Sequence, residues 1–497
     1  MRRIRDKGSE SQKMLDLYIN GTWLHGLGPR RTLINPATKK VLTHVHEASR
    51  EQVNEAVRSA HSAFYDSMWA RDMSCRVAIL EDVANKLERD AEEVARLETE
   101  NTGKPIRESR LDVEDSIKCL RYYANLVKER QVWTKEMDDG TVSKITEEPI
   151  GVCGLIVPWN FPLLLGIWKI APALAAGNTV IFKPAEITPL SILKFTQLLD
   201  ESGLPNGVFN LVLGGEEVGR AIVQDPLVRK ISFTGGVETG KRVYAECAQS
   251  LKRISLELGG KSPLLIFDDV NVDDAVEWAI FGAFFNQGQV CVAASRILVH
   301  HQIFGSFIKK FVEKTKAIRI GSPLEEQTEL GPVISQAHFN HVQNFIEWGR
   351  KEGATLLTGG EGINDLPGYY LRPAVFVGVS QNMRVVQEEI FGPVCTVQAF
   401  NTEEEGVCLA NGTRYGLAAG ILTQDLKKAK KIAQQLQAGT IWINGYHTPY
   451  VEAPWGGFKH SGLGRELGPH GLACYVEYKH VNTNSNLTAP GWYSFNR

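Results

Sequence analysis

The sequence predicts an α/β protein: a Rossmann-like parallel-sheet unit, a second α/β unit and a small β arm. Three observations predict it. Between residues 151 and 213, strands apolar throughout alternate with helices, the pattern of a parallel sheet covered on both faces. After Lys261 the same alternation begins again with SPLLIF and SRILVH. Two stretches, 132–147 and 473–482, alternate with period two and have little apolar to pack on, so they read as an extension toward another subunit. A chain of 497 residues exceeds one core, in keeping with two or three domains.

Taken in order, residues 17–23 (LYINGTW) form a hairpin about Asn20-Gly21. Residues 51–102 are helical in pattern, with Val53, Ala56, Val57 and Ala60 at steps of three and four, and a further helix covers 106–128. A second hairpin turns at Asp138-Asp139-Gly140. Strands are expected at 151–157, 179–183 and 208–213, with helices at 163–176, stopped by Gly177-Asn178, and at 189–202, ended by Gly203. Strand 229–234 leads through Gly235–Gly240 into a helix, and 254–258 is another strand. Ala275, Val276, Ala279, Ile280, Ala283 and Phe284 mark the helix before the segment FFNQGQVCVAASR, and a helix follows near 304–316.

Composition narrows the function. A hydrophobic share of 43% with 23% charged residues is ordinary for a globular protein, and a net charge of −2 gives no electrostatic case for nucleic acid or an anionic membrane. The eight cysteines are scattered without a CxxC pair, against a zinc site or disulfide framework and for a reducing compartment. The N-terminal segment MRRIRDKGSESQKML lacks the apolar run of a secretory signal and reads as a short disordered tail; its three arginines leave organelle targeting as an alternative. Residues 161–177 contain Lys169, Pro162 and Pro172 and fall short of a membrane span, and YSFNR matches no retention signal, so a cytoplasmic protein is expected. His44-Val45-His46 lacks a third ligand at useful spacing, so no metal is expected, and Lys427–Lys431 reads as a solvated helix face.

The chemistry lies where parallel strands end, since ligands bind beyond their carboxyl ends. Asn160, held in PWNFP, offers a preorganised N–H donor, or equally a helix cap. Glu257, between two leucines, is a desolvated general base or a Glu facing solvent on an edge. Cys291 is a nucleophile or a small buried hydrophobe. Together they suit attack on a carbonyl followed by release of the acyl group to water; if hydride leaves the carbonyl carbon, a nicotinamide is needed. GxGxxG is absent, and Gly462-Leu463-Gly464-Arg465 is too far from the first unit to replace it. Gly235–Gly240 can face a phosphate, and Lys183 with Glu186 can meet ribose hydroxyls.

PWNFP, KPAE, FTGGVETG, LELGGKSP, FFNQGQVC, EEIFGPV and PWGGFKHSGLGRELG stand in the order and spacing of the NAD(P)-dependent aldehyde dehydrogenase superfamily, which the chain resembles from about Leu17 to its C-terminus. The resemblance implies Cys291 as nucleophile, Glu257 as base of deacylation, Asn160 as oxyanion donor beside the Cys291 N–H, and Lys169 with Glu466 as a proton relay. It implies NAD, with NADP as the alternative, held by Trp159, Lys183, Glu186, Gly235, Gly236, Gly240, Glu389 and Phe391. NAD is preferred because Glu186 repels a 2′-phosphate. Gly236 departs from the Ser usual there. The implied division is a dinucleotide-binding domain (1–127 and 151–259), a catalytic domain (260–463) and an oligomerisation arm (128–150 and 464–497) of a homo-oligomer, dimer or tetramer.

ISFTGG-x-ETGK, RILVH and YKHVNTN look most similar to the betaine aldehyde and aminoaldehyde branch, which encloses a trimethylammonium group in an aromatic box. The matching positions are Phe161, Trp168, Phe285 and Trp455, with Asp112 and Asp115 near the mouth. Two of the four are Phe where Tyr and Trp are usual. Each desolvated face attracts a quaternary cation by about 0.5–2 kcal/mol. The alternatives are a bulky apolar aldehyde such as retinal and a non-catalytic protein of the same fold. CoA acylation is disfavoured by a base for water at Glu257.

Overall fold

The computed structural model describes residues 16–130, 132–487 and 492–493. The charged N-terminal segment 1–15 and the last residues of YSFNR lie outside the described residues. Strands buried along most of their length stack as expected into two largely parallel sheets. In the first, Arg253–Glu257, Val228–Thr234, Val152–Ile156, Thr179–Lys183 and Phe209–Leu211 run parallel in that order. The hairpin Leu17–Ile19 and Thr22–Leu24 closes one edge antiparallel. In the second sheet the order is Thr355–Thr358, Ala374–Val377, Val394–Phe400, Arg296–His300, Pro263–Ile266, Ala418–Leu422 and Thr440–Ile443, with only the first strand antiparallel. A third sheet joins Val476–Thr483, Val142–Pro149 and Trp133–Glu136.

The helix Pro162–Ala176 is buried along almost its whole length against the first sheet, and Gly177 at φ 96° ends it in the left-handed conformation glycine allows. Its Lys169 is wholly buried.

One expectation is refined and one corrected. Residues 51–102 are three helices, Arg50–Asp66, Met73–Arg89 and Ala91–Thr102, because Asp72 caps a new start at the Cys75 N–H and Asp90 separates the last two. The boundary at 463 also moves. Past Ile443 the chain returns to the first sheet, where Gly462–Leu463 pairs with Arg253–Glu257. The helix Gly468–Ala473 buries Leu472 beside Leu467 and packs on Pro162–Ala176, so residues 464–475 belong with the first unit and not with the arm.

Candidate active site

The nucleophile candidate sits on a strained turn. After the helix Val272–Phe284 come three successive residues at positive φ: Asn286 (47°), Gln287 (57°) and Gly288 (68°). Left-handed non-glycine residues cost of order 1 kcal/mol each and persist only where the surroundings over-determine them. Here they do. The Asn286 N–H donates to Glu108 at 3.0 Å, its side-chain amide donates to the carbonyls of Asn160 and Gln289 at 3.3 Å, and the Ile334 N–H donates to the Gln289 side chain at 2.9 Å. Gly288 is required, since a Cβ there would lie 2.3 Å from the Gly392 carbonyl.

The turn delivers a half-buried Cys291 to the junction of two cavities. Burial pushes its thiol up, the Glu257 and Glu389 carboxylates push the same way, and the N–H groups of Val292 and Cys291 pull it down. Asn160 is 3% exposed, and its Nδ2 donates to the Gln289 carbonyl at 3.0 Å. It caps no helix, because Phe161 holds the N-cap position without a side-chain bond. Glu257 ends its strand and is buried, which rules out an edge facing solvent. Burial raises its carboxyl well above the usual range, and Glu466 adds to the rise while Lys169 and Arg465 oppose it.

Asn160, Glu257 and Cys291 line one cavity of about 470 Å³ with Gly235, Glu389 and Phe391. Glu389 accepts the Gly260 N–H at 3.0 Å, and burial brings its carboxyl to about 7. Phe391, itself at φ 59°, lies edge-on to Trp159 with centroids 5.3 Å apart. His338, absent from the sequence reading, accompanies them: its Nε2 contacts the Phe391 carbonyl at 2.6 Å, and burial lowers its pKa to about 4. Below Glu257, the buried Lys169 and Glu466 form an ion pair, and Ser232 Oγ donates to Glu466 at 3.3 Å.

A cleft of about 640 Å³ beyond the carboxyl ends of the first sheet is lined by Trp159, Lys183, Glu186, Gly235 and Gly236. Lys183 is buried, with Nζ donating to the Pro184 carbonyl at 3.0 Å. A Cβ on Gly236 would meet nothing within 4 Å, so a phosphate can approach this backbone where the helix Val237–Gln249 begins. The cleft therefore fits a dinucleotide. Gly240 lets the helix pack on Leu258, whose Cδ2 would lie 2.5 Å from an added Cβ. Among the described residues no group of three or more potential ligands can hold a metal.

On the other side of Cys291 a cavity of about 780 Å³ is lined by Phe161, Trp168, Phe285 and Trp455. Trp168 and Trp455 meet edge-on at 5.4 Å. Phe281 and His447, also missed from sequence, extend the wall, each 5.3 Å from Phe285. Asp112 and Asp115 reach this cavity as expected, but each has a cation of its own. Asp112 is in a buried ion pair with Lys104, and Asp115 bonds Lys118 at 3.2 Å. Lys104 Nζ also lies 3.8 Å from the Phe161 ring centroid.

This arrangement has close counterparts. The profile of the aldehyde dehydrogenase family matches residues 23–481. The chain belongs to the aldehyde dehydrogenase family. It is 43% identical over 486 residues to betaine aldehyde dehydrogenase of Bacillus subtilis (strain 168), covering 96% of this chain and 99% of that one. It is 45% identical over 475 residues to retinaldehyde dehydrogenase 3 of Homo sapiens, covering 94% and 93%. The crystal structure of betaine aldehyde dehydrogenase from Staphylococcus aureus in complex with NAD+ superposes with a TM-score of 0.95 at 40% identity, covering 97% of this chain and 98% of that one. This aldehyde dehydrogenase is accordingly an NAD(P)-dependent enzyme, and the cleft beside Lys183 and Glu186 is the place in it that fits such a cofactor.

Proposed function

We propose that the enzyme oxidises an aldehyde irreversibly to its carboxylic acid through a thioester on Cys291. One observation carries this reading: Cys291, Asn160 and Glu257, from three distant segments, border a single cavity together with Glu389 and Phe391. The aldehyde enters by the aromatic cavity, and the Cys291 thiolate adds to its carbonyl carbon to give a thiohemiacetal. The oxyanion rests on the Cys291 N–H and on the Asn160 amide, whose second N–H is free after the bond to Gln289. NAD, held by Lys183, Glu186 and Glu389, supplies the hydride acceptor when bound. Glu257 then takes a proton from the water that attacks the thioester, and the proton passes toward Glu466 and Lys169. NAD is the preferred carrier because the Glu186 carboxylate opposes a 2′-phosphate.

The aromatic box of Phe161, Trp168, Phe285 and Trp455 supports betaine aldehyde or an aminoaldehyde. A second reading, a bulky apolar aldehyde such as retinal, is favoured by Lys104, which holds a cation against Phe161 and engages the Asp112 carboxylate. The enzyme acts in the cytoplasm as a dimer or tetramer, its arm presenting exposed Trp133, Val142 and Tyr478 to a second copy. Reduced-cofactor absorbance with betaine aldehyde, aminoaldehydes and retinal tests the assignment. The parent should turn over one class with clear preference, and Cys291→Ala none; activity in Cys291→Ala overturns the thioester route.

A further inference from the structure

Glu108 lies in the first turn of the helix Ile106–Glu129, 3% exposed, and takes no part in the chemistry above. Its Oε2 accepts the main-chain N–H of Asn286, 178 residues away, at 3.0 Å. Asn286 opens the left-handed turn, so its N–H finds an acceptor outside the turn. From there the bonds run on: the Asn286 amide to the Asn160 carbonyl, and the Asn160 amide to the Gln289 carbonyl, two residues before Cys291.

We propose that Glu108 is a positioning residue for the nucleophile: its side-chain carboxyl oxygen holds the Asn286 peptide and, through it, the placement of the Cys291 sulfur against the Asn160 amide. The inference rests on Cys291 being the nucleophile. A buried carboxylate is expensive to retain where an apolar side chain would fill the space, which argues for a polar task. Without Glu108, the Asn286 N–H loses its acceptor and the two strained residues lose an outside anchor.

The same carboxylate gives the turn a pH signature. On its own segment Glu108 is surrounded by Lys104, Arg107 and Asp112; from the elements packed against it, Glu277, Lys314 and Glu329 line the groove it borders. Burial raises the carboxyl to about 8, Lys104 opposing and Asp112 adding. Below that pH the group is neutral; above it the N–H meets a carboxylate, a bond roughly twice as strong. The turn tightens as pH rises.

Two measurements on the full-length enzyme test this: the pre-steady-state burst of reduced NAD, and the rate at which iodoacetamide alkylates Cys291 in the cofactor-free protein, read by mass spectrometry. Both are taken above and below pH 8. Glu108→Ala should slow the burst by on the order of tenfold or more, since small misplacements of reacting groups are that damaging, with NAD affinity unchanged. Glu108→Gln, whose amide oxygen still accepts the N–H, should hold the burst within about threefold of the parent. Its alkylation profile should lose the component near pH 8 that Glu108 adds, while the rise set by Cys291, Glu257 and Glu389 remains. A burst in Glu108→Ala within about twofold of the parent overturns the proposal. So does an alkylation pH profile in Glu108→Gln that superimposes on the parent's, which decides the matter if the alanine variant does not fold. A burst from Cys291→Ala would instead remove the nucleophile reading, and the two failures stay distinct.

Discussion

The Asn160 Nδ2 donates to the Gln289 carbonyl at 3.0 Å, so one hydrogen bond ties a strand end of the first sheet to the cysteine turn of the second unit. That bond spends one amide N–H and leaves the other for an oxyanion. In Asn160→Ala the Gln289 carbonyl keeps the Asn286 amide as a partner at 3.3 Å, so stability should fall by only about 1 kcal/mol. The burst rate should fall by about 10²–10³, the usual loss for one oxyanion donor. Rapid mixing with thermal melting separates the two, and a burst slowed less than about tenfold removes Asn160 from the role.

In the proposed mechanism Glu257 acts only after the thioester has formed. Glu257→Gln should release about one equivalent of reduced cofactor per site and then stall, because the thiol still attacks but no base activates water. The sign of the pH dependence follows from burial: a raised carboxyl pKa means the base form accumulates only as pH climbs above the ordinary carboxylate range. The parent's hydrolytic rate should therefore rise with pH over that interval, and the rise should be missing in Glu257→Gln. Stopped-flow bursts and steady-state rates across pH make the comparison; unimpaired hydrolysis in the variant would exclude Glu257 as the base.

The strand ends were legible in the sequence because the rule that locates them is local. An unbroken apolar run announces a buried parallel strand, and the polar residue after it stands at the carboxyl edge. Asn160, Lys183 and Glu257 all follow this rule. Glu108 does not: in IRESRLD it reads as one more solvated helical charge, and only contact with Asn286 shows its task. Lys104 is hidden in the same way: in the short connection between two helices it reads as a solvated loop lysine, yet it is buried against Glu98 and Asp112. The strand Gly462–Leu463 is two residues long and contains glycine, so neither periodicity nor β propensity marks it. The Gly240 contact with Leu258 is equally hidden, because a glycine in a helix's first turns reads alike whether it meets a phosphate or a leucine.

The buried pair of Lys169 and Glu466 should behave as an obligate couple. Lys169→Met leaves a buried carboxylate without its cation and should destabilise the enzyme by about 3–5 kcal/mol, whereas Lys169→Met with Glu466→Leu should recover most of that loss. Urea unfolding followed by circular dichroism reads both. A single variant as stable as the parent would mean the pair is not closed to water. If the pair carries protons away from Glu257, the double variant should fold well and still hydrolyse its thioester slowly.

The proposed aromatic box tests substrate charge at Phe161. A cation over an aromatic face gains about 0.5–2 kcal/mol, but Lys104 already holds an ammonium 3.8 Å from this ring's centroid. A quaternary substrate must therefore share the ring with a fixed positive charge, whose own counter-ion, Asp112, is bound to it. An apolar aldehyde meets no such competition. Replacing Lys104 alone would strand Asp112 and the buried Glu98, so the informative variant is Lys104→Met with Asp112→Asn and Glu98→Gln, which removes all three charges. Its kcat/KM for betaine aldehyde relative to retinal should rise by about 2–30-fold, the ratio that one cation–π contact corresponds to. An unchanged ratio would show that the ring does not select for charge, and selectivity would then rest on Trp168 and Trp455.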